Sequence, residues 1–138
     1  MSTLAGGGGS TLAGFAGGIG TNALFSFPQG VAVASNGDVI VADSVSVRKI
    51  TTAGDHFGTY LTYCLFDVCV SIGVFLVAGQ STFGYADGAA TAAQFAYPGA
   101  VAIDTMGNIF VADTSNSAVR MISLSGIATH LLYMFRYN

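Results

Sequence analysis

Short apolar runs broken by turn-forming residues dominate the chain. VAVA at 31–34 and VIVA at 39–42 flank Ser35-Asn36-Gly37-Asp38, and VAID at 101–104 and IFVA at 109–112 flank Thr105-Met106-Gly107-Asn108. Runs of this length, bounded by Gly, Asn, Asp and Ser, predict β-strands, and each pair predicts a β-hairpin. Asn36-Gly37 alone suggests a type I′ turn, but Met106 suits positive φ poorly. A type I turn closed by a left-handed glycine and a bulge fits both pairs, so Gly37 and Gly107 are expected to be backbone residues first. The strands are apolar on both faces instead of alternating, which predicts sheets covered on both sides.

The two hairpins belong to an internal repeat. Residues 14–47 align with 84–117 without a gap at an offset of 70, and 13 of the 34 positions are identical, among them Phe25/Phe95, Pro28/Pro98, Gly37/Gly107 and Asp43/Asp113. The match then resumes at an offset of 72 with Val47/Val119, Arg48/Arg120, Ile50/Ile122 and Gly54/Gly126, so the first copy is two residues shorter in a loop. Asp43-Ser44 and Asp113-Thr114 supply carboxylate and hydroxyl groups that can bond local backbone and turn the chain into a third strand, VRKI or AVRMI. Radial repetition of four-stranded sheets packed face to face predicts a β-propeller, with Ala32, Ala42, Ala102 and Ala112 allowing close approach. A β-helix would need a shorter period.

The segment GYADGAATAAQFAYPGAVAIDTMGNIFVADTSNSAVRMISLSGIAT resembles the NHL repeat: a glycine-rich beginning, F-x-x-P, an apolar strand, a G-N-I-F-V-A-D hairpin and an N-x-x-V-R-x-I strand. FAGGIGTNALFSFPQGVAVASNGDVIVADSVSVRKITTAG is similar to it but lacks the acidic residue after the first strand (Ala34 against Asp104) and the asparagine before the arginine. Pro28, Gly37, Asp43, Arg48, Pro98, Gly107, Asp113 and Arg120 form the repeat signature. STLAG at the start and VFLVAG at 74–79 look like closing strands of blades. The resemblance implies an all-β partial propeller of four-stranded antiparallel NHL-type blades. Because such repeats build six-bladed rings, it also implies about a third of a ring, read as a fragment or truncated product in preference to a chain that completes a ring with other copies.

The organisation expected is a closing strand plus first repeat over 1–54, an off-pattern apolar insert over 55–73, a second repeat over 74–131 and an off-pattern tail over 132–138. The insert and tail, or their borders, hold both cysteines (Cys64, Cys69), both histidines (His56, His130) and four of the six tyrosines. Such segments are what a translated intron or a shifted reading frame would give.

Composition narrows the partners. Of the residues 52% are hydrophobic and 8% charged, which excludes disorder through excess charge. Four Lys and Arg stand against seven Asp and no Glu, for a formal charge of −3, and no basic stretch exists to neutralise phosphates, so nucleic acid is not expected as a partner. The first ten residues have neither positive charge nor a continuous apolar core, so no secretory signal is expected. Leu61 to Ala78 is apolar with one charge, Asp67; ten Leu, Ile, Val and Phe contribute about −3 to −6 kcal/mol toward membrane insertion against about +3 for the central Asp and further penalties for its polar residues. That balance is marginal, and VFLVAG already fits the blade, so a long buried or disordered loop is expected there instead of a span.

Catalytic candidates are weak. His56, Cys64, Asp67 and Cys69 do not have the closely spaced cysteine pairs of structural zinc, and free buried thiols are expected. GGGGSTLAGFAGGIG lacks the lysine of a phosphate loop. No serine stands in a G-x-S-x-G elbow. Asp43, Arg48, Asp113 and Arg120 recur once per blade, which points to a carboxylate that organises a turn and an arginine that pairs with it; Asp87 and Asp104 are also expected in turns. The expectation is therefore a non-catalytic scaffold or binding module for protein or a small ligand, without cofactor or metal. The rival is a piece of a propeller hydrolase or lyase whose active-site residues lie in other blades. Apolar blade faces with few charges also predict self-association.

Overall fold

A computed structural model describes residues 2–7, 13–51, 72–123 and 127–130. The fold is all-β: β1 (Gly18–Ile19), β2 (Gly30–Val33), β3 (Val39–Asp43), β4 (Ser46–Ile50), β5 (Gly73–Gly79), β6 (Gly88–Ala89), β7 (Pro98–Ile103), β8 (Ile109–Asp113), β9 (Ala118–Ile122) and β10 (Ile127–His130). They form two antiparallel sheets in the orders β1-β5-β4-β3-β2 and β6-β10-β9-β8-β7. Each is a propeller blade of four full strands. The sequence pattern shows four strands per blade; the structure adds a two-residue fifth, because the glycine-rich lead-in pairs with the outer edge, Gly18 opposite Val74 and Gly88 opposite Ala128. Covering that edge removes a row of unpaired backbone groups.

The repeat survives in the register. Val41 lies opposite Arg48 and Val111 opposite Arg120, so the two-residue shift in offset falls in the turn between those strands. In the first blade Ser44-Val45 alone joins Asp43 to Ser46. In the second a 3-10 turn over Thr114–Asn116 does so, ending on Ser117 at φ 51°. The missing asparagine thus shortens this turn without breaking it. Gly37 and Gly107 have φ of 88° and 87°, whereas Asn36 and Met106 keep negative φ, the arrangement that Met106 requires. Asp104 holds the second hairpin by accepting from the Met106 and Asn108 amides (2.9 and 2.8 Å) and from Asn108 Nδ2 (2.7 Å). These bonds, the Asn108 side chain foremost, lower the Asp104 pKa. Ala34 cannot do this, and Asn36 replaces it, accepting from the Asp38 amide at 3.1 Å.

Three boundaries differ from those read in the sequence. Residues 2–6, expected as a closing strand, form a bend: the Gly6 amide, instead of joining a strand ladder, donates to Gly20 O (3.1 Å), and Ala5 packs against the cluster of Ala23, Val41, Ile50 and Val74. Gly73, placed in the insert, begins β5. VFLVAG closes the first sheet, with Ile50 opposite Val74, so the blade boundary falls after Gly79 and not at Val74. Most of the insert and the whole tail lie outside the described residues, as do His56, Cys64, Asp67 and Cys69.

The same register measures the insert. Thr51 N donates to Gly73 O at 2.9 Å, and its counterpart Ser123 N donates to Ile127 O at 3.0 Å. Residues 52–72 therefore bridge positions that residues 124–126 bridge in the second blade. Joining these positions through 21 residues instead of three costs about 1.7 kcal/mol more chain entropy. Replacing residues 52–71 by Leu-Ser, which keeps Ile72 packed on the core of the first blade and its carbonyl accepting from the Gly20 amide, is accordingly expected to raise stability by about 1–2 kcal/mol. Thermal denaturation followed by circular dichroism checks this, and a lower melting temperature would contradict it.

The blades pack face to face. One face of the first blade presents Ile40, Ala42 and Val47; it meets Ala93 and Phe95 of the second blade's lead-in and, beneath them, Ile109, Val111 and Ile122. A smaller cluster of Ala23, Val41, Ile50 and Val74 lies under the first lead-in, with Phe25 packed on it. The joint is bonded as well as packed, since the Tyr97 amide donates to Ser44 O at 2.9 Å.

Candidate functional site

Each blade buries one carboxylate and one guanidinium between its sheet and its lead-in. In the first, Asp43 Oδ1 accepts from the Ser26 amide (2.7 Å), and Arg48 donates to Leu24 O through Nη1 and to Ala16 O through Nη2 (2.7 Å). In the second, Asp113 Oδ1 accepts from the Ala96 amide (2.8 Å), and Arg120 donates to Gln94 O (2.7 Å) and Ala86 O (2.6 Å). Every partner sits 70 residues after its counterpart. The guanidiniums lie between aromatic rings: Arg48 between Phe15 and Phe25, at 5.7 and 4.6 Å from the centroids, and Arg120 between Tyr85 and Phe95, at 5.3 and 4.7 Å. Cation–π contact in a dry site adds to the charge-assisted hydrogen bonds. These four signature residues thus hold the lead-in onto the sheet, with their hydrogen bonds directed inside the fold.

The two clusters are not equal. Arg120 also reaches Asp87 Oδ1 (2.7 Å) and Asp113 Oδ2 (3.1 Å), and Asn116 Nδ2 donates to Asp113 Oδ2 (2.8 Å) and Gly84 O (2.9 Å). In the first blade Gly17 stands where Asp87 does, the shorter turn has no Asn116, and Arg48 lies 3.6 Å from Asp43 Oδ2. Asp43 Oδ2 has no hydrogen bond. Burial pushes the Asp43 carboxyl above its ordinary 3.8 despite the backbone hydrogen bonds at Ser26 and Ser44 and the charge of Arg48; burial likewise lowers Arg48.

This asymmetry sets an expected result. Asp113→Asn places an amide NH2 among two donors and should cost about 2 kcal/mol, whereas Asp43→Asn keeps the Ser26 bond, removes a charge that burial penalises and should cost about 1 kcal/mol or less. The folded chain holds the Asp43 proton more tightly than the unfolded chain, so this group's contribution to stability falls as pH rises from 3.8 through its raised value. Asp43→Asn should gain on the wild type over that window. Melting temperatures of wild type and both variants, measured from pH 4 to pH 7, check both the ranking and the trend.

The prolines of the signature follow aromatic residues with left-handed backbone, Phe27 at φ 54° and Tyr97 at φ 48°. Such values are uncommon outside glycine. Pro28 is exposed, while Pro98 is buried beside the joint. Among the described residues no three His, Cys, Asp or Glu side chains are placed to hold a metal ion. Among them, too, no helix is long and apolar enough to cross a membrane, and the run from Leu61 to Ala78 becomes strand at Gly73.

A concave surface lies elsewhere, at the hairpin end of the blade joint. A groove of about 640 Å³ opens between the turn at Ser35–Asp38 and the turn at Thr105–Gly107. Ile40, Val77, Ile103 and Ile109 form its apolar lining. Ser35, Asn36, Thr105 and Ser123 supply hydroxyls and an amide, and Lys49 pairs with Asp38 at 3.6 Å across its polar part. Phe75 and Met106 are exposed on its lining. The sequence reading contained the hairpins but not this groove, because its walls come from residues about 70 positions apart.

Comparison with known proteins agrees with the repeat. Residues 25–47 and 95–120 match the family model of the NHL repeat. Over 110 residues, 78% of the chain, the sequence is 31% identical to the protein Suppressor of Quenching 1, chloroplastic, of Arabidopsis thaliana. The chain spans 9% of that protein's length.

Proposed function

From the two NHL repeats that this chain carries, we propose that it is a non-catalytic binding module, which takes a small ligand or a side chain of a protein partner in the groove between its hairpins. One observation carries this reading: the groove combines an apolar lining from both blades with a sparse set of polar groups, and its 640 Å³ is within the size of ordinary ligand pockets. The repeated Asp and Arg residues support it in a second way, since their hydrogen bonds are spent on the lead-ins. The net charge of −3 and the pairing of Lys49 with Asp38 disfavour a phosphate-rich partner.

Screening a set of small aromatic and aliphatic fragments by amide NMR tests the reading. Shifts are expected to cluster on Asn36, Lys49, Val77, Met106 and Ser123, and Ile103→Asp should abolish them. Shifts that avoid the groove would refute it. Hydrolysis of simple esters or lactones by the purified chain, lost on substituting a groove residue, would replace binding by catalysis.

A further inference from the structure

We propose that copies of this chain associate head to tail, the outer face of the second blade of one copy docking on the open face of the first blade of the next. The joint between the two blades of one copy shows how equivalent faces meet. In that joint Ile40 and Val47 share one buried core with the second blade, and Ala42 beside them on the same strands is fully buried. Their counterparts on the second blade are Phe110, Ala112 and Val119, whose partner strand positions are the same: Ala42 lies opposite Val47, and Ala112 opposite Val119. Val47 is fully buried, yet Val119 is 52% exposed. The other half of the joint shows the same contrast. Val101 and Ile103 pack into the shared core, whereas their counterparts Val31 and Val33 are 65% and 67% exposed.

Each copy therefore presents both halves of a joint that it has already built once. The two faces are apolar and uncharged at these positions, so contact removes hydrocarbon from water without desolvating an ion. The faces differ from each other, which makes the contact heterologous, and each docking leaves one face of each kind free. One position breaks the equivalence. Gly30 touches the Ala100 backbone within the chain, but its counterpart in the second blade is Ala100, so a joint between copies carries an extra methyl group. Ala100→Gly should relieve it.

Sedimentation velocity on the full chain tests this. The weight-average mass is expected to rise above 14.0 kDa with concentration in the micromolar range. Val119→Glu and Val31→Glu should each weaken association by about tenfold or more. Both sites are exposed, and circular dichroism verifies the fold; Val33→Glu serves where Val31→Glu does not fold. Mixing the two variants is the decisive arm, since each retains the face that the other has lost. Equimolar mixture should restore association and stop at a one-to-one pair. Ala100→Gly should associate more tightly than wild type. A wild-type monomer at high micromolar concentration, association that neither glutamate stops, a mixture that stays monomeric, or no tightening by Ala100→Gly would each overturn the proposal.

Discussion

Replacing Arg120 by alanine is expected to lower the free energy of unfolding by about 3–5 kcal/mol, the loss that follows when one partner of a buried ion pair is removed. The side chain is fully buried, and it contacts four acceptors: Gln94 O, Ala86 O, Asp87 Oδ1 and Asp113 Oδ2. Truncation leaves the Asp113 carboxylate buried with only Asn116 and the Ala96 amide. It also opens a gap between the Tyr85 and Phe95 rings. Lysine does not rescue, because an ammonium cannot fork between two carbonyls and two carboxylates in one plane. The same change at Arg48 should cost less, since its pair with Asp43 is longer and Gly17 gives it no second carboxylate. Urea unfolding of the two alanine variants and of Arg120→Lys checks the order, and a loss below about 1 kcal/mol at Arg120 would show that the cluster is not a main support of the blade.

How much of this was legible in the sequence depended on whether the chemistry sits in side chains or in backbone. Identity at Asp43/Asp113 and Arg48/Arg120 placed both charges once per blade, and the turn-forming residues placed the hairpins. The partners of those arginines are mostly carbonyls, Leu24 and Ala16 or Gln94 and Ala86, and a carbonyl leaves no mark on residue type. The cage of Phe15 and Tyr85 was visible only as a conserved aromatic character between two non-identical residues. β1 and β6 escaped because two residues, Gly-Ile or Gly-Ala, carry no periodicity. The bend at 2–6 and the shift of β5 into the first sheet share one cause. A closing strand belongs to whichever third strand offers it hydrogen bonds, and that is a matter of topology, which similarity to VFLVAG does not encode.

Gly30→Val is expected to cost about 3 kcal/mol, at the upper end of what overpacking does in a tight core. A Cβ at this position would stand 2.5 Å from Ala100 Cα, 2.9 Å from Gly99 O and 3.0 Å from Ala100 C. All three are backbone atoms of β7, so no rotamer change can relieve the contact, and the strands β2 and β7 must move apart. The blades themselves have no reason to suffer: Gly30 pairs with Ala42 through backbone, and valine is a good strand former. The damage should therefore appear first at the joint. Hydrogen exchange would show it, with the Tyr97 amide, bonded to Ser44 O across the joint, losing protection while the amides of β3 and β8 keep theirs. Equal loss of protection throughout both sheets would mean that the blades do not fold as separable units, and no loss at Tyr97 would mean that the approach of β2 to β7 does not hold them together. The groove lies at the other end of these strands. Where the backbones meet at Gly30 and Ala100 the sheets are nearly touching, and at the hairpin end, past Val33 and Ile103, the same two strands leave the space that Ile40, Val77 and Ile109 line.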